Sequence, residues 1–285
     1  VKLSVSTAVG LSLCLLLSNG SANAGENRLS DETIAGQRAA LAEMANEAGF
    51  GPQAPRDIES VAGSNPVAFG KAPPVDQMNL CNIHFHEGAE HKGGEYTRHA
   101  GNPDEHGYGG GYLYDGQLSS AELAAIDYPV GEGKHGDLQP GDTIEIHYVH
   151  STAPITPGPT LGSCLSEANA NPQLRVEAFV YVLVNDDKAA DLRVLNEVGV
   201  VDGNHQAINM PSDLGQPVSY AGSTTGPGYN TKASPFQVTW NVHPKVLKVS
   251  ISSVAAWLAD NPFDEDHAHG VRNLVVNPDL LSPIN

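Results

Sequence analysis

Apolar residues along this chain recur in short β-favouring runs, separated by loops rich in Gly, Pro, Asn and Asp. The runs fall at residues 80–86, 143–150, 176–184, 236–242 and 246–251. They predict a mainly β domain of the α+β class, with a twisted, mostly antiparallel central sheet and a few short surface helices. Helical signals are sparse. Residues 30–48 predict one surface helix, with Ser30 placed to cap it, Ile34, Leu41 and Met44 on a broad face, and Gly49 to end it. Ser119 and Glu122 have capping-box spacing, so residues 119–126 predict a second, short one. Residues 51–77 are rich in Pro, Gly and Ala without a clear period and read as an extended arm. Residues 87–142 form the longest irregular region, and long loops in compact domains often carry function.

The first two dozen residues stand apart from this pattern. Lys2 precedes an apolar run at residues 8–17, and small residues follow, ending in Ala22-Asn23-Ala24. That is the signature of a secretory leader cut before Gly25. The run is too short for a bilayer, which takes about 20 residues. The reading is therefore a leader at 1–24, a helix and arm at 25–77, and one domain at 78–285, exported to a periplasm or secreted, with no membrane span. Cleavage would remove Cys14 and leave Cys81 and Cys164. An even count in an exported protein points to one disulfide, with two free buried thiols as the alternative.

Charge narrows the function classes. The formal net charge is −18, which disfavours a nucleic-acid partner, since such binders need a basic surface.

Histidine carries the chemistry. Eight of the 12 histidines lie between positions 84 and 150. In a strand, Asn82, His84 and His86 share one face, while Cys81, Ile83 and Phe85 share the other. Two imidazoles at i and i+2 can hold one metal ion, and Cys81 joins them only through a bulge. In the run from Glu145 to His150, Glu145, His147 and Val149 share a face and His150 points away. His147 is thus the expected third ligand. Glu145 is placed to orient His147, and Asn82 to orient His84, because a ligating imidazole usually donates its other N–H to an acceptor. Three neutral histidines with an open fourth position form the donor set of a catalytic zinc, lowering the pKa of bound water to about 7. Cobalt or cadmium could occupy the same ligands. Surface histidines or packed strand histidines are the alternative.

These residues resemble the carbonic anhydrases of the alpha class, and still more their delta-class relatives. The shared motifs are Ile83-His84-Phe85-His86, the run Glu145 to His150, Tyr220-Ala221-Gly222-Ser223-Thr224-Thr225, and Val238-Thr239-Trp240, all in the family's order. The resemblance implies an alpha-carbonic-anhydrase-like fold and hydration of carbon dioxide to bicarbonate and a proton by zinc hydroxide. It implies that Glu90, in Gly88-Ala89-Glu90-His91, orients the hydroxyl of Thr224 or Thr225, which in turn orients the hydroxide. Val149 and Trp240 match walls of an apolar substrate pocket. His91 matches a structural position. His86 and His147 lie 61 positions apart, much further than in the alpha class. Residues 92–142 are therefore an insertion, and the delta class is the nearer label. Within it, His99 and His106 are candidates for carrying the proton out, while His267 and His269 read as a solvated loop. Two other classes remain. In a cupin-type metalloprotein Glu90 would be a ligand, with Gln139 to Asp142 as part of the second motif. A non-catalytic carbonic-anhydrase-like module would only bind metal.

Overall fold

A computed structural model of the chain describes residues 28–48, 50–60, 62–131, 138–223, 236–272 and 275–284. The expected leader lies outside these residues. The strands are β1 (Asn79–Glu87), β2 (Arg98–His99), β3 (Tyr112–Leu113), β4 (Thr143–Ser151), β5 (Leu174–Val184), β6 (Val198–Val201), β7 (Asn204–Ala207), β8 (Val218–Ala221), β9 (Val238–Ser250) and β10 (His269–Gly270). The helices are α1 (Asp31–Glu47), α2 (Leu192–Leu195) and α3 (Ile251–Ala259). Six strands form one sheet in the order β10-β1-β4-β5-β9-β8. β10 runs parallel to β1 and β5 parallel to β9, and the other three pairings are antiparallel. The fold is thus mostly β, with a mixed central sheet and few helices. No helix among the described residues is long and apolar enough to cross a membrane.

The central strands are buried on both faces because both are covered. One face buries Ile83, Phe85, Ile144, Ile146, Tyr148, Phe179 and Tyr181 with Leu192 of α2 and Val254 and Trp257 of α3. The other gathers Val149, Val176, Ala178, Tyr220, Trp240 and Val242 with Ala54 and Ile58 of the arm. The arm is stitched to the body through Gln53, which bridges Ser223 and Leu281, and through Asp57, which bridges Lys92. At α1, Ser30 caps by accepting from Thr33 N, and Ile34 and Leu41 are buried.

Four expectations change. Residues 236–251 are not two strands: β9 is continuous, and Pro244 falls where the register jumps from Ala178–Val242 to Val180–Val246. A proline lacks a donor for the ladder, and a bulge is where a strand tolerates that loss. Ile251 opens α3 rather than ending a strand. At 119–126 the capping box forms, with Ser119 N on Glu122 Oε2 (2.7 Å) and Glu122 N on Ser119 Oγ (3.3 Å), yet only turns follow. Asn185 accounts for the stop: its N donates to Glu122 O and its Nδ2 to Ala124 O, taking carbonyls a helix would use. Finally, Cys81 does not lie with Ile83. A register shift between Leu80 and Asn82 sends Leu80 into the Ile83 cluster and Cys81 into that of Val149. Cys81 nevertheless offers no ligand, because it is disulfide-bonded to Cys164.

Candidate metal centre

β1 and β4 pair so that His84 faces His147 and His86 faces Glu145. Strand alternation turns Asn82, His84 and His86 to one face of β1, as the sequence pattern demands. The result is a group of ligand atoms from His84, His86 and His147, all within 4.8 Å of one another.

Each ring is fixed by an acceptor behind it. His84 Nδ1 donates to Asn82 Oδ1 (2.7 Å), and the Asn82 amide is itself oriented by its Nδ2 bond to Gly158 O (3.1 Å). His86 Nδ1 donates to Gly270 O (3.0 Å). His147 Nε2 donates to Glu145 Oε1 (2.9 Å). These acceptors set the tautomers, leaving Nε2 of His84, Nε2 of His86 and Nδ1 of His147 as bare lone pairs. The last meets His84 Nε2 at 3.3 Å. Two bare nitrogens cannot hydrogen-bond each other. Their separation is about the edge of a tetrahedron whose metal–nitrogen bonds are roughly 2.0–2.1 Å.

Electrostatics favour the same state. Burial, then the neighbouring imidazoles His147 and His86, hold His84 well below the usual histidine range. Burial brings His86 down to about 3 against the pull of Glu90. Both rings are therefore neutral at pH 7 and able to bind a cation.

Behind His147 lies a fully buried network. Glu145 accepts from His147 Nε2, from His91 Nδ1 (2.6 Å) and from His91 N (2.9 Å), and His91 Nε2 accepts from Tyr220 OH (2.6 Å). Burial alone would raise the Glu145 carboxyl, but His91 and His147 hold it well below the usual range. His91, Glu145 and His147 also lie within 4.8 Å. There, however, two ring N–H groups already point at the carboxylate, so this is a hydrogen-bonded support and not a second cation site.

Glu90 lies close by. Its Oε1 accepts from Arg272 N (3.0 Å) and lies 3.8 Å from His86 Nδ1, while its Oε2 faces Arg56 Nη1 at 3.4 Å. Burial would raise its pKa, yet Arg56 brings it to about 2. A carboxylate so engaged does not join the ligand group, which removes the main support for a cupin-type site. Val149 and Trp240 belong to one apolar cluster. The Trp240 ring stands edge-on to His147 at 5.2 Å. Thr224 and Thr225 lie outside the described residues. His150 points away and bonds Tyr148 O through Nδ1.

Of the other histidines, His99 packs on Tyr112 (5.5 Å) and His106 sits beside Glu105 (3.4 Å). His269 is not in a solvated loop. It forms β10 opposite His86, with its ring 5.8 Å from His84 and 5.9 Å from His86. Sequence reasoning missed His269, Arg56 and the Gly270 carbonyl. The second His-x-His at 267–269 was the available signal for the first. Arg56 showed only as one of several charges in the arm, and a backbone acceptor leaves no mark in sequence.

The model of the family described as delta carbonic anhydrase matches residues 75–253. Among solved structures, the chain is similar to a halotolerant carbonic anhydrase from Dunaliella salina, with 17% identity and a TM-score of 0.28. That match covers 50% of this chain and 51% of the other, so the chain spans about half of that protein. It is also similar to a hyperthermostable carbonic anhydrase from an active hydrothermal vent chimney, with 14% identity and a TM-score of 0.30. There the coverage is 86% of this chain and 91% of the other. No curated protein matches the chain.

Proposed function

This chain belongs to the delta carbonic anhydrase family, and from that premise we propose that its three-histidine centre holds zinc and hydrates carbon dioxide reversibly to bicarbonate and a proton. The observation that carries the reading is the pair of bare nitrogens, His147 Nδ1 and His84 Nε2, held 3.3 Å apart by acceptors behind each ring. Three neutral imidazoles would hold zinc with its full charge, and zinc bound there would lower the pKa of water to about 7 and so supply a hydroxide nucleophile at neutral pH.

The chain's own residues supply the rest. Asn82, Gly270 and Glu145 hold the three rings in the metal-binding tautomer. The Glu145 anion also strengthens His147 as a donor. Val149 and Trp240 give an apolar wall beside His147, which suits a substrate without net dipole and keeps it close to the nucleophile. Glu90, held as an anion by Arg56 and Arg272 N, is the carboxylate to orient the hydroxyl of Thr224 or Thr225. Substrate and product are small molecules. The leader-like start and the Cys81–Cys164 disulfide support an exported protein, since such bonds persist in oxidising compartments.

Stopped-flow hydration of carbon dioxide by the zinc-loaded protein tests this function. We expect turnover well above the uncatalysed rate and its disappearance when zinc is removed by a chelator. A zinc-loaded protein with no turnover would contradict the reading.

A further inference from the structure

Arg56 sits on the arm where it pairs with the segment after β1. Lys92 N donates to Arg56 O (2.7 Å), and Ile58 N donates to Lys92 O (2.9 Å). Its neighbour Asp57 pairs with Lys92 Nζ at the surface (2.7 Å). Alternation along this extended stretch turns Arg56 the other way, inward, and its side chain is only 14% exposed.

There the guanidinium is under-used. Nε, Nη1 and Nη2 are each buried, and none has a hydrogen-bond partner among the described residues. Glu90 Oε2, 3.4 Å from Nη1, attracts the charge without aligned hydrogen bonding. Arginine is always charged and carries five donors in a rigid fork. Buried polar groups are nearly always paired. A cation with three bare nitrogens is therefore uncommon, the more so in a chain of net charge −18. Glu90 in turn lies 3.8 Å from His86 Nδ1, which puts Arg56 one carboxylate away from a ligand histidine.

We propose that Arg56 anchors an anion subsite beside the three-histidine centre, and that its ligand is a small planar oxyanion of the bicarbonate class. Two coplanar oxygens on one carbon match the guanidinium fork bidentately, as carboxylates do. Glu90, His91 and Tyr220 all feel the same charge. The choice of bicarbonate rests on the reaction proposed above, whereas the anion subsite does not.

The test is calorimetric titration of sodium bicarbonate into the full chain freed of metal, where no metal ion offers a second anchor. Sodium chloride at equal ionic strength is the control. We expect saturable binding of bicarbonate and not of chloride. Arg56→Gln should weaken it at least about tenfold, and Arg56→Lys should fall between, since lysine keeps the charge and loses the fork. Absence of saturable binding in the unsubstituted protein, equal binding of chloride, or undiminished binding in R56Q would overturn the proposal. Should R56Q fail to give a folded circular-dichroism spectrum, R56K decides: weakened binding supports the subsite and unchanged binding overturns it. Bicarbonate binding without hydration activity would sink the reaction and leave the subsite standing, and hydration without binding would do the reverse.

Discussion

At the scale of single residues, each histidine of the candidate centre depends on one acceptor. Glu145 is the most constrained, because it takes hydrogen bonds from His147 and twice from His91 with no exposure. Glu145→Gln would turn an N–H toward one of those donors and remove the charge. Zinc affinity, measured by competition with a chromophoric chelator, should fall roughly 10–100-fold. An unchanged affinity would show that Glu145 does not support His147. The depressed histidines also set a pH response. The folded chain protonates His86 only near about 3, against 6.5 ordinarily. Between those values the unfolded state binds more protons, so stability of the metal-free protein falls as pH drops through that window. Glu90 acts in the same direction further down: its contribution is present above 4.5 and is lost as pH falls toward about 2. Thermal melts of the metal-free protein should therefore show Tm declining from pH 7 to pH 4, and a flat profile would contradict the burial of neutral rings. The convergence of His84, His86 and His147 was legible in the sequence because it needs only strand alternation and the His-x-His and Glu-x-His spacings. Arg56, His269 and Gly270 O were not, because they reach the site from the arm and from β10, and nothing local records those contacts.

At the scale of elements, the site depends on β10 lying against β1. Gly270 supplies the acceptor for His86 and packs so closely on the insertion that a Cβ there would lie 2.1 Å from His106 O. Tyr108 OH on Ala268 O (2.9 Å) and Val271 N on Gly107 O (3.1 Å) complete the contact. Gly270→Ala should push β10 away, free His86 Nδ1 and weaken zinc binding by roughly tenfold or more. Wild-type affinity in that variant would mean that the strand tolerates the shift. The disulfide works over a longer span. Cys81 and Cys164 are 83 positions apart, and a closed loop of that size contributes about 2–5 kcal/mol. Reduction should lower Tm by several degrees in a scan with and without reductant. Strands β1, β4 and β5 were readable since no Gly or Pro interrupts them. β9 was read as two because Pro244 normally ends a strand, and here a bulge absorbs it. Helix α3 was missed although Ile251, Val254, Trp257 and Leu258 recur at helical spacing, because the run follows a strand without a turn signal.

At the scale of the molecule, a β sheet packed on both faces carries the three-histidine cluster, while the chain bears a formal net charge of −18. Self-repulsion of that size opposes compaction and is relieved by salt, as the screening length shrinks from about 10 Å at 0.1 M to about 3 Å at 1 M. Melts in sodium chloride across that range should show a rising Tm. Charge told little about the fold, which followed from apolar patterning alone. The insertion at 92–142 could be seen as a length but not as a shape, since its glycine-rich loops take their conformation from what they cover.

The catalytic centre proposed for this chain is the set of three histidines converging from β1 and β4. It is tested most directly by stopped-flow hydration of carbon dioxide with His147→Ala, assayed beside the unsubstituted protein after identical zinc loading. Hydration should drop to the uncatalysed rate while the circular-dichroism spectrum is retained. A folded H147A protein that hydrates carbon dioxide undiminished would contradict it.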